Sequence, residues 1–143
     1  MKDELFLIDT NVLVYAYETE NSSKKRIAAK LLEKCFLKEV NLAVSAQNIS
    51  EFIYVAIKKG KLSHDEARIN AEDIVKFNGF RKIAYSPQTI LHAIDMAKEF
   101  NMPFWDALLA ATMKENHIYN IYTENIKDFR MPWINAVNPF QHQ

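Results

Sequence analysis

Leu5-Phe6-Leu7-Ile8 runs without a polar residue straight into Asp9-Thr10-Asn11. Four apolar residues in a row suit a strand whose sheet is covered on both faces, so the stretch predicts a central strand that ends at an acid. Residues 12–17 are apolar on all sides. A helix carrying Ile27, Leu31, Leu32 and Cys35 along one stripe follows, with Ser22 or Ser23 as its cap. Residues 40–44 predict a second buried strand, after which Ser45 caps a helix with Ile49, Phe52, Ile53 and Ala56 at helical spacing, ending at Gly60. Ser63 opens a further helix to about Phe77, and residues 80–85 predict a third strand. Helices over 87–100 and 104–117, the latter with Pro103 at its first position, precede a fourth strand at 118–122. A turn over 123–129 leads to a weaker fifth strand at 134–137. Strands alternating with helices predict an α/β domain with a mainly parallel sheet, one domain over residues 1–143.

The totals narrow the function. Eighteen basic and eighteen acidic residues cancel, so any contact with nucleic acid must be local rather than a whole-molecule field. The single cysteine, Cys35, falls on an apolar helix stripe and excludes a disulfide framework. No stretch approaches the roughly 20 apolar residues of a membrane span, and Met1-Lys2-Asp3-Glu4 leads into too short an apolar run for a signal peptide. The expectation is a soluble, cytoplasmic protein. With only Gly60 and Gly79, there is no glycine-rich loop to cradle a nucleotide.

In an open parallel sheet, ligands gather outside the carboxyl ends of the strands. Acids stand at those ends: Asp9 after strand one, Glu51 in the second turn of the helix after strand two, and Glu124 and Asp128 after strand four. Asp106 opens a helix, Trp105-Asp106-Ala107-Leu108-Leu109-Ala110-Ala111, that is apolar nearly all round and is therefore expected to be buried. A carboxylate inside such a helix costs several kcal/mol, by order of magnitude, unless it is paired, protonated or bound to a cation. Oxygen donors alone suit magnesium or manganese, since none of His64, His92, His117 and His142 has zinc-ligand spacing and one cysteine cannot build a thiolate site. The chemistry implied is metal-assisted, in-line hydrolysis of a phosphodiester.

Taken singly, each signal has a plainer reading. Asp9 could be a helix cap, Glu51 a solvated helix residue, Asp106 the partner of Arg26, Arg68, Arg81 or Arg130, and Glu124 and Asp128 loop charges. Lys24-Lys25-Arg26 and Lys58-Lys59-Gly60-Lys61 fit solvated faces better than phosphate patches, because acids are interspersed. Tyr15, Tyr17, Tyr54 and Trp105 suit base stacking no better than core or dimer contacts. The ordered set of acids is what carries specificity.

That set, in Leu7-Ile8-Asp9-Thr10-Asn11-Val12-Leu13, Asn48-Ile49-Ser50-Glu51-Phe52, Phe104-Trp105-Asp106-Ala107-Leu108-Leu109-Ala110-Ala111 and Tyr122-Thr123-Glu124-Asn125 with Asp128-Phe129, resembles PIN domains of the VapC toxin type. The resemblance implies a three-layer α/β/α sandwich, Mg2+- or Mn2+-dependent endoribonuclease activity on RNA, and frequent homodimers. In toxin-antitoxin pairs it also implies a small antitoxin protein whose tail enters the active-site groove. By position, Asp9, Glu51 and Asp106 match three acidic positions and would contact metal directly or through water. At the fourth, Asn125 stands where some members have Asp; Asp128, in the Asn-x-x-Asp-Phe form, fits best, with Glu124 the alternative. Asn11, Thr123 and Asn125 would orient the carboxylates through hydrogen bonds. Two other functions fit parts of the pattern. A haloacid-dehalogenase-type phosphohydrolase also opens with an Asp after strand one, but its second Asp would fall at Asn11; a non-catalytic RNA- or protein-binding domain would lack a core acid.

Overall fold

All five strands among the described residues run parallel, in the order β3-β2-β1-β4-β5. The computed structural model describes residues 4–60 and 62–141. Residues 1–3, Lys61 of the basic run and His142 lie outside the described residues. The strands are β1 Leu5–Ile8, β2 Asn41–Ser45, β3 Phe80–Ile83, β4 Asn120–Tyr122 and β5 Asn135–Val137. The third and fourth are shorter than the apolar runs suggest: Ala84 and Tyr85 lead out of β3, and Ile118 and Tyr119 lead into β4.

Alternate side chains of each strand feed two cores. Leu7 and Ala43 point into one, with Ile118, Ile121 and the buried run Ala107 to Ala111; Ile8, Leu42 and Val44 point into the other, with Val12, Leu13, Phe52 and Ile74. The first face carries α5, Pro87–Phe100, and α6, Phe104–Glu115. The second carries α1, Thr10–Ala16, α2, Ser23–Phe36, α3, Ala46–Lys58, and α4, His64–Lys76. This is a three-layer α/β/α sandwich, with apolar side chains closing both faces of the sheet.

Serine starts most of these helices. Ser22, Ser45, Ser63 and Ser86 each accept a backbone N–H from the first turn, so the choice between Ser22 and Ser23 falls to Ser22. Pro103 is one position earlier than the sequence suggests: it is the cap of α6, extended at ψ 147°, and Phe104 is the first helical residue. Asn101 closes α5 in the left-handed region at φ 50°, turning the chain into α6. The two helices pack antiparallel, with Thr89 and His92 near the start of α5 bonded to Glu115 at the end of α6.

The chain builds β1, β2 and β3 outward in one direction, then returns to place β4 on the other side of β1. Loops after β1 and β4 therefore diverge from adjacent strand ends, the position where open parallel sheets form a crevice. The Asp9 N–H reaches across to the Tyr122 carbonyl at 3.0 Å, which pins the two exits together.

Candidate active site

Four of the five acids predicted from the sequence line one cleft of about 520 Å³: Asp9, Glu51, Asp106 and Asp128, with Thr10, Asn11, Tyr15 and Asn125 among its other walls. Among the described residues no lysine, arginine or histidine lines it. The cleft opens at the divergence of β1 and β4, and α3 and α6 bring their N-terminal turns to it.

Asp9 is the anchored member. Its Oδ1 accepts the Thr10 N–H at 2.8 Å, as the cap of α1, and its Oδ2 accepts the Thr123 hydroxyl at 2.7 Å; Asn48 Nδ2 approaches Oδ1 at 3.5 Å. Burial pushes its carboxyl up and the Thr123 and Thr10 hydrogen bonds push it down, while the Glu51 and Asp128 charges raise it further; the net direction is upward. Glu51 is held through the same network. Its Oε1 accepts the Thr10 hydroxyl at 2.7 Å, and Thr10 in turn accepts from Asn48 Nδ2 at 3.1 Å.

Asp106 differs. Its helix is buried from Ala107 onward, but Asp106 itself is half-buried at the rim, between exposed Trp105 and the apolar interior. The sequence expectation of an acid inside a buried helix is corrected to an acid at its mouth. None of the four arginines considered as partners bonds to it, and its carboxylate accepts no hydrogen bond among the described residues. Burial, then the charges of Asp128, Asp9 and Glu51, push its pKa up to about 6.

The turn after β4 separates the two alternatives for the fourth acid. Asp128 closes a single 3-10 turn, Ile126–Asp128, and lines the cleft. Glu124 does not line it: its carboxylate is paired with Lys24 and accepts the Tyr15 hydroxyl at 3.3 Å, and the pairing holds Lys24 above the ordinary lysine range. Of the residues expected to orient the acids, Thr123 bonds Asp9 directly, Asn11 Oδ1 accepts the Glu124 N–H at 3.3 Å, and the Asn125 N–H bonds Thr123 Oγ1 at 3.0 Å. The basic run also turns inward on itself: Lys25 donates to the carbonyls of Ala16 and Glu18, and Arg26 to that of Asn21. Tyr17 packs edge-on against Phe52 in the core.

Thr10 and Asn48 are the site residues that sequence reasoning left without a role. Asn48 is fully buried on the stripe it shares with Phe52 and Ala56, and Ser45 fixes it by accepting its N–H and donating to its Oδ1. An amide on the core-facing stripe of an amphipathic helix, one turn before an acid, was the available signal.

A family model for the PIN domain matches residues 6–130. The chain belongs to that family. The solved structures it resembles include a toxin-antitoxin complex from Klebsiella pneumoniae, at 22% identity over 96% of this chain and 99% of that one, with a TM-score of 0.66. VapC20 of Mycobacterium tuberculosis, described as a sarcin-ricin-loop-cleaving toxin, is 12% identical over 90% of this chain and 98% of that one, with a TM-score of 0.67. FitAcB of Neisseria gonorrhoeae is 17% identical over 96% and 99%, also at 0.67. At these identities the likeness is one of fold. A comparison with curated proteins gave no match. No helix among the described residues of this PIN domain is long and apolar enough to cross a membrane.

Proposed function

We propose that this PIN domain is a magnesium- or manganese-dependent endoribonuclease acting in the cytoplasm, and the toxin of a toxin-antitoxin pair. The observation that carries the chemistry is the cleft itself: Asp9, Glu51, Asp106 and Asp128 from four separate segments, with Glu18 beside them, no cationic side chain of the described residues among its walls, and no hydrogen bond to the carboxylate of Asp106 or Asp128 among the described residues. The donors fit a hard, oxygen-loving ion. Magnesium keeps several of its waters and takes few carboxylates, so these acids would hold it in part through water. Bound there, the metal would supply a water of lowered pKa and neutralise charge on the phosphoryl oxygens.

The residues divide the remaining work. Asp9 and Glu51, held by Thr123, Thr10 and Asn48, would act as fixed negative charges that set the ion's position. Asp106 and Asp128, without such restraints, would adjust to it and hold the attacking water in line with the phosphodiester. The toxin assignment draws on the neighbours from toxin-antitoxin complexes; a small antitoxin and a second copy of this chain are the partners it implies. The test is cutting of a mixed single-stranded RNA pool, with the fragments mapped, by wild type purified free of any partner. Metal-dependent fragments support the proposal; an intact pool with folded, partner-free protein refutes it.

A further inference from the structure

Beside the carboxylate cleft, and sharing Glu51 and Tyr54 with it, lies a second cleft of about 800 Å³ lined by Ala46, Gln47, Ser50, Ala84, Tyr85 and Trp105. Its rim is aromatic and open: Trp105 is 59% exposed, Tyr54 62% and Tyr85 39%, a large apolar area to leave in water without a use. Its floor is polar and incomplete. Gln47 is 7% exposed, and its Oε1 is the one buried side-chain oxygen or nitrogen among the described residues with no hydrogen-bond partner. The amide cannot be reversed to cure this. Its Nε2 donates to the Trp105 carbonyl at 3.0 Å and lies 3.4 Å from Glu51 Oε2, so a flipped amide would set oxygen against two acceptors. The Ser50 hydroxyl is likewise engaged as a donor, to the Ala46 carbonyl at 3.0 Å. The floor therefore offers acceptors and lacks donors.

We propose that this second cleft is a base-recognition subsite, which takes one unpaired base of the RNA strand next to the phosphate held in the carboxylate cleft. Planar rings at an open rim give stacking for any base, and an acceptor floor selects among them. Guanine matches best, because its Watson–Crick edge places two N–H donors side by side, for Gln47 Oε1 and the Glu51 carboxylate. Uracil matches worst: its one N–H is flanked by two carbonyl oxygens that would face those acceptors. Tyr54, whose hydroxyl accepts from Lys58 at 3.0 Å, and Trp105, edge-on against Phe104, both keep exposed ring surface at the rim, and a rotamer change of either admits the base edge to Oε1. The placement beside the scissile phosphate rests on the nuclease proposal above; the base pocket does not.

Neutral nucleosides test the pocket apart from any phosphate or metal. The chain has two tryptophans, so Trp133→Phe leaves Trp105 as the sole indole reporter. In that variant, with EDTA present, guanosine should quench Trp105 fluorescence about tenfold more tightly than uridine, the scale of one good base-edge contact. Gln47→Met should erase that difference while melting at a similar temperature, and Tyr85→Ala should weaken both nucleosides. With magnesium or manganese, RNAs carrying guanine beside the cut site should then be cut about tenfold better than uracil counterparts, and Gln47→Met should level them. Equal or absent quenching by the two nucleosides in folded protein overturns the proposal, as does a Trp105 signal that follows protein concentration alone, which would make the cleft a contact between copies. Guanosine-selective quenching with no RNA cutting supports the base pocket and overturns the nuclease reading instead.

Discussion

Asp9 and Asp106 face the same cleft and are held in opposite ways. Asp9 leaves the central strand as a helix cap, takes a hydroxyl from Thr123 and sits in a chain of hydrogen bonds that runs through Thr10 and Asn48 to Ser45. Asp106 sits at the mouth of an apolar helix with no bonded partner among the described residues, and burial, then the charges of Asp128, Asp9 and Glu51, push its pKa up to about 6. The protein fixes one carboxylate by hydrogen bonds that offset part of the effect of its burial, and leaves the other without them. A site built this way has a rigid half that fixes position and a half whose charge is relieved only when a cation arrives.

Removing the unrelieved charge should give the largest effect. Asp106→Asn is expected to lower RNA cutting by about 10²-fold or more, the scale of losing one preorganised electrostatic contact. In metal-free buffer at neutral pH the same variant should be more stable than wild type by about 1 kcal/mol, since solvent screens a half-exposed carboxyl and the full shift is not recovered. The sign follows from proton binding. Between the ordinary value of 3.8 and about 6 the folded protein binds more protons than the unfolded chain, so wild-type stability falls as pH rises across that window. Thermal melts from pH 4 to 8 in EDTA should show this slope in wild type and a shallower one in Asp106→Asn, where the raised Asp9 remains. Magnesium should flatten the wild-type slope.

Breaking the anchored half should cost both activity and stability. Thr123→Val removes the hydroxyl donor from a part-buried carboxylate, and about 10-fold of activity together with about 1–3 kcal/mol of stability should be lost. Thr123→Ser should restore most of each. Equal behaviour of Thr123→Val and Asp106→Asn in melts would erase the distinction between the two acids.

The turn after β4 gives the smallest expected effect and the sharpest contrast. Asp128→Asn should reduce cutting about tenfold. Glu124→Gln, and Lys24→Ala on its partner, should leave fragment yields near those of wild type, because their ion pair stands outside the cleft. A strong loss in Glu124→Gln would mean that the Lys24 pairing opens to admit it.

Much of this arrangement was legible in the residues. Apolar runs such as Leu5 to Ile8 announce buried parallel strands, and the acids Asp9 and Asp106 stand at element boundaries, with Glu51 in the second turn of its helix, all places that local rules locate. What was hidden depends on direction and on long-range pairing. Glu124 and Asp128 are both plausible from spacing, and only the 3-10 turn, with Lys24 arriving from α2, separates them. The Asp106 helix reads as buried from its composition, yet in its first turn Trp105 is exposed and Asp106 half-buried, a tertiary matter. Asn48 reads as one polar residue on the inward stripe of an amphipathic helix; that it bonds Thr10 and approaches Asp9 becomes clear only when the end of β1 and the start of α1 meet it. The unpartnered Gln47 oxygen required a count of donors across three segments.

Metal-dependent cutting through Asp106 is the part of the proposed function most open to direct test. The direct measurement is cutting of a single-stranded RNA pool by wild type and Asp106→Asn, each shown to be folded, with magnesium or manganese and with EDTA. Cutting by wild type with metal alone, and none by the variant, is the predicted result. Equal cutting by the two proteins, or cutting that survives EDTA, would contradict it.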